Sequence, residues 1–104
     1  MSPQQEIEQL SNILLELEQN ESHLKKRRIQ AQGLADTFYY LAERFRTNPE
    51  SVTFENEEDD LRFRSSDMAD PKAIDLSLIK EIRDSVRKLE SRQKVLRERK
   101  AGLS

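Results

Sequence analysis

The chain contains no cysteine, which excludes disulfides and thiolate chemistry and makes a reducing compartment a weak expectation. Only two glycines and three prolines occur among its 104 residues, too few for a turn-rich β architecture. A single histidine, His23, with no cysteine beside it, leaves a zinc-like site without donors. No stretch approaches the roughly 18 apolar residues of a transmembrane helix. The opening Met1-Ser2-Pro3-Gln4-Gln5-Glu6 has neither the basic nor the apolar region of a signal peptide. A cytoplasmic protein that does not engage membranes is the default expectation. Glycine-rich phosphate loops, Ser/His/Asp constellations and inward carboxylate pairs for a metal are also missing. The expectation is therefore a protein without cofactor or enzymatic activity.

Charged residues, by contrast, make up 37% of the chain against 35% hydrophobic, a balance suited to long helices with one apolar seam. The net charge of −2 is unevenly spread. Residues 1–47 hold seven acids and six bases, residues 48–70 eight acids and two bases, and residues 71–104 five acids and ten bases. Such a split means that the two signs meet, within the chain or between chains.

The strongest pattern is a seven-residue stripe from Ile7 to Phe45. One row reads Ile7, Leu14, Glu21, Arg28, Ala35, Ala42 and the other Leu10, Leu17, Leu24, Ala31, Phe38, Phe45, the a/d signature of a helix built to lie along other helices. Ser2, Pro3 and Gln5 form a capping box at its start, and Asn48-Pro49 stops it. The spacing predicts a helix over 3–47, a connector over 48–70 and a helix over 71–101, all in one domain. The second helix carries Ile79, Ile82, Val86, Leu89, Gln93 and Leu96 on one face, with Asp70-Pro71 as its cap and Asp75 as a competing one.

In the connector, Val52 and Phe54, then Leu61 and Phe63, alternate with polar residues around Glu55-Asn56-Glu57-Glu58-Asp59-Asp60. A short β-hairpin with an acidic tip and a disordered acidic loop fit equally well. The consecutive acids lack the spacing and glycine of an EF-hand. The order helix, β-hairpin, helix is similar to that of prefoldin-type chaperone subunits, although the unequal helices depart from it, and the resemblance implies a small holdase.

The fold class expected is all-α: a long helical hairpin, or antiparallel coiled coil, with an acidic connector that admits a short β-hairpin. Pairing Phe45 with Ile79 places Leu24 beside Lys100 and leaves residues 1–23 uncovered. A second copy removes that exposure, giving a dimeric four-helix bundle, with a tetramer as the larger option. Its interface is expected at Ile7, Leu10, Ile13, Leu14, Leu17, Glu21, Leu24 and Arg28, with Glu21 of one copy facing Arg28 of the other. The intrachain core is expected at Ala31, Ala35, Phe38, Ala42, Phe45, Ile79, Ile82, Val86, Leu89 and Leu96.

Tyr39, Tyr40, Phe54 and Phe63 offer a partner patch, although packing is the favoured role for the tyrosines. Lys25, Lys26 and Arg27, with Arg92, Lys94, Arg97, Arg99 and Lys100, form a basic patch. A pI near 5.5 favours a solvated helix face over a nucleic-acid site there. The leading function is a non-enzymatic, homo-oligomeric coiled-coil adaptor, assembly factor or regulator, which binds itself and an unidentified protein. The alternatives are a nucleic-acid-associated factor and the holdase.

Overall fold

A computed structural model describes residues 2–103. It contains α1 (Pro3–Thr47), a short 3-10 turn (Pro49–Ser51), β1 (Thr53–Glu57), β2 (Asp60–Arg64), β3 (Lys72–Asp75) and α2 (Leu76–Leu103). The three strands form one antiparallel sheet in the order β1-β2-β3. That sheet overturns the all-α expectation, and with it the dimeric four-helix bundle. Contacts divide the chain into a helical unit, Met1–Arg28 with Asp84–Ser104, and a sheet unit, Ile29–Arg83.

The ends of α1 follow from local chemistry. The Gln5 N–H donates to Ser2 Oγ at 3.3 Å and the Ser2 N–H to Gln5 Oε1 at 3.2 Å, a closed capping box that satisfies two orphan donors. At the other end the Asn48 N–H reaches the Arg44 carbonyl at 3.0 Å before Pro49 forbids another turn.

In the helical unit the inward row of α1 is Leu10, Ile13, Leu17, Asn20, Leu24 and Arg27. It meets Ser85, Val86, Leu89, Gln93, Leu96 and Leu103 of α2, all buried or half-buried. The register is specific. Gln93 Nε2 donates to the Leu17 carbonyl at 3.3 Å, and Arg92 forks onto both oxygens of Glu16 at 2.9 and 3.0 Å. The expected hairpin placed Gln93 beside Ala31. The observed contact lies 14 residues nearer the N-terminus, about 21 Å along a helix. Much of the stretch expected to lie uncovered is thus lined by α2 itself, and the overhang that called for a second copy does not exist as drawn.

In the sheet unit the reason for that shift is visible. Residues 72–75, read as the first turn of the second helix, form β3 instead, with Ile74 fully buried. The helix begins only where Asp75 caps it, its Oδ1 accepting from the Leu78 N–H at 3.1 Å and from Ser77 Oγ at 2.7 Å. The last turns of α1 are taken by the sheet. The Tyr40 ring lies 6.5 Å from that of Phe63, and Arg44 is paired with Asp67. Phe63 and Ile74 share one face of the sheet and are its buried anchors, each contributing about 1.5–3 kcal/mol.

The hairpin between β1 and β2 turns on Glu58-Asp59, closed by Glu57 opposite Asp60. Glu58 has φ 47°, a conformation that a two-residue hairpin turn demands and that glycine usually supplies. The acidic tip has a local partner: the Leu76 N–H, at the start of α2, donates to the Asp59 carbonyl at 2.9 Å. Glu57, Glu58, Asp59, Asp60, Asp75 and Ser77 line one groove there, where the positive end of the helix dipole favours negative charge.

Candidate functional site

Tyr40 determines which side of α1 is left open in the sheet unit. Its ring packs toward Phe63 and is flanked by the Lys72 ammonium at 4.8 Å and the Arg44 guanidinium at 4.9 Å. Two residues along a helix is a rotation of about 200°, so Phe38 points away from the sheet. The half-buried row is Leu34, Thr37, Leu41 and Arg44. One residue further on, about 100° around the helix, lies a second row: Ala31, Ala35, Phe38, Ala42 and Phe45, all exposed. Phe38 retains 42% and Phe45 55% of their accessible surface.

This outer seam corrects the expected core. Ala31, Ala35, Phe38, Ala42 and Phe45 are exposed rather than buried in the chain's core, because the sheet and the leucine row claim the neighbouring face. Their counterparts on α2 lie where the spacing placed them: Ile82, Gln93 and Leu96 are buried, and Ile79, Val86 and Leu89 half-buried. In the helical unit one of the two expected rows does face inward. Leu10, Ile13, Leu17 and Leu24 turn toward α2, whereas Ile7, Leu14, Glu21 and Arg28 face outward. Leu15 and Ile29, which belonged to neither expected row, are also exposed.

The aromatic patch is divided. Phe63 is buried and Tyr40 packs beneath it, whereas Tyr39 and Phe54 stand open. Only an observation of the sheet separates these pairs, since Phe54 and Phe63 are opposite each other in the hairpin and equally apolar.

The basic residues are partly engaged. Arg92 is held by Glu16, Arg27 Nε donates to Ser85 Oγ at 3.2 Å, and Arg28 reaches Glu90 at 4.0 Å. The Arg92 hydrogen bond, above all, holds the Glu16 carboxyl below its usual range. Arg28 thus meets an acid of its own chain. Lys25, Lys26, Lys94, Arg97, Arg99 and Lys100 are exposed, as is His23. Among the described residues no group of three His, Cys, Asp or Glu side chains is placed to hold a metal ion, and no helix is long and apolar enough to cross a membrane.

Compared with protein-family models, curated proteins and solved structures, the chain matches none. The prefoldin likeness therefore stays one of element order, and β3 departs from it further.

Proposed function

We propose that this chain is a non-enzymatic interaction protein whose α1 seam, Ala31 to Phe45, receives an apolar helix of a partner protein. The observation that supports it is the spacing of that seam: exposed residues at 31, 35, 38, 42 and 45 repeat as a/d positions do. The alanines leave holes that let a second helix approach, and Phe38 and Phe45 supply knobs. Burying a phenylalanine fully is worth about 1.5–3 kcal/mol, so two half-exposed rings form a credible anchor for a contact. Gln32, Asp36, Glu43 and Arg46 give the seam a polar rim.

The partner helix belongs to another protein or to another copy of this chain. The nucleic-acid reading is weaker, because Arg27, Arg28 and Arg92 already have partners within the chain and counterion release needs charge that is not neutralised. The test compares the wild type with Phe38→Asp/Phe45→Asp, both immobilised, for the proteins retained from the native host, and both in solution for mass by sedimentation. The proposal expects at least one retained protein, or the self-associated mass, to be lost in the variant. Identical retention and identical mass would overturn it.

A further inference from the structure

We infer that the free edge of β1 accepts an extended segment of a partner protein as a fourth strand, one that alternates basic, apolar and basic side chains. This site is separate from the helix seam and does not depend on it.

The backbone supplies the first argument. β1 pairs with β2 on one side only, and all five of its residues are exposed. A two-residue turn closed by Glu57 and Asp60 makes that pair a hydrogen-bonded one. By the alternation of antiparallel ladders, Glu55 and Thr53 then also turn their N–H and C=O groups toward β2, and Phe54 and Asn56 turn theirs outward. Those outward groups form the ladder that an incoming strand extends.

The side chains specify what that strand carries. Glu55 and Glu57 lie on one face with Thr53, and Phe54 and Asn56 lie on the other. Arg62 reaches Glu57 at 3.2 Å and Asp60 at 3.9 Å. Glu55, directly opposite Arg62 in the register, makes no ion pair among the described residues. Lysine or arginine side chains opposite Glu55 and Glu57 meet this charge, and an apolar side chain opposite Phe54, on the other side of Glu55, covers that half-exposed ring.

The same charges disfavour a second copy in the registers centred on Glu55 and Asn56. Two β1 edges related by a two-fold axis at Glu55 place Glu55 against Glu55, and an axis at Asn56 places Glu55 against Glu57. Like charges directly opposite destabilise a strand pair. Charged edge residues commonly guard a sheet against pairing with itself, and here the guard is of one sign, so it discriminates between partners.

The test uses the full chain and two labelled peptides, Lys-Val-Lys-Ile-Lys and Glu-Val-Glu-Ile-Glu, each flanked by glycine and serine, with affinity read by fluorescence anisotropy and the site by amide NMR. The inference expects the basic peptide to bind at least about tenfold more tightly, with the largest shifts at Phe54 and Asn56. Asn56→Pro, which removes an outward N–H from an edge strand that tolerates proline, abolishes binding. Glu55→Lys shifts the preference toward the acidic peptide, and its circular dichroism should match the wild type. Equal binding of both peptides, shifts elsewhere, or basic-peptide binding that survives Asn56→Pro would overturn the inference.

Discussion

Replacing Gln93 with leucine should stabilise this protein, although Gln93 is one of its most buried residues. Its side chain is 3% exposed on the seam between α1 and α2. The amide nitrogen makes one long hydrogen bond, 3.3 Å to the Leu17 carbonyl, and Oε1 is buried with no partner among the described residues. Asn20, on the inward row of α1, likewise buries an amide nitrogen with no partner. An unsatisfied buried acceptor costs about 1–3 kcal/mol, whereas a neutral hydrogen bond contributes about 0.5–1.5 kcal/mol net. Leucine removes both and adds apolar contact in nearly the same volume. The expected gain is about 1–2 kcal/mol for Gln93→Leu, or a melting temperature higher by about 4–8 °C per kcal/mol for a chain near this size. Asn20→Leu/Gln93→Leu should gain more than either single change. The assay is urea denaturation of the full chain, followed by the helical circular dichroism signal. A midpoint lowered by the equivalent of 1 kcal/mol or more would refute the reasoning, because it would mean that the amide layer contributes net stability. The layer is better explained as a device for register: a polar pair in an apolar seam penalises slippage by a heptad.

Two further outcomes follow from the sheet unit and the ion pairs. Glu58→Gly should stabilise the hairpin by about 1 kcal/mol, because a non-glycine residue in the left-handed region costs about 1–2 kcal/mol and glycine's added freedom when unfolded returns part of it; an unchanged or lower denaturation midpoint would contradict the turn geometry. The carboxyl of Glu16 is held below the usual carboxylate range chiefly by the Arg92 hydrogen bond, and that of Asp75 chiefly by the Ser77 hydroxyl. Both groups are depressed in the folded state, so their contribution is fully present above the unfolded carboxylate range and is lost as pH falls through the lower folded one. Stability should therefore hold from neutral pH to about pH 5 and decline below it, with the decline reduced in Arg92→Gln and Asp75→Asn; stability that rises on acidification would contradict both contacts.

The limits of α1 were legible because they rest on short-range chemistry: the Ser2–Gln5 box and the Asn48-Pro49 stop act within one turn. The inward face of α2 was legible because it has one apolar row and charges elsewhere. The inward face of α1 was not, since Leu34 and Leu41 compete with Phe38 and Phe45 on adjacent rows. Hydrophobic spacing cannot rank two apolar rows that lie 100° apart, and only the sheet beside Tyr40 decides between them. β3 was missed because Lys72-Ala73-Ile74-Asp75 offers a single strong β-former and follows Asp70-Pro71, which resembles a helix start. The competing cap at Asp75 was the available clue. Once the sheet is placed, the acidic connector ceases to be a separate feature, since its tip is tied to the first turn of α2.

Phe38 and Phe45 face outward, while Phe63 anchors the sheet. The most direct measurement is the urea midpoint of Phe38→Asp/Phe45→Asp beside that of Phe63→Asp. The double variant should stay folded, its stability lowered by no more than about 1.5–3 kcal/mol, whereas Phe63→Asp should not fold. A double variant that unfolds like Phe63→Asp would return these phenylalanines to the interior and contradict the account.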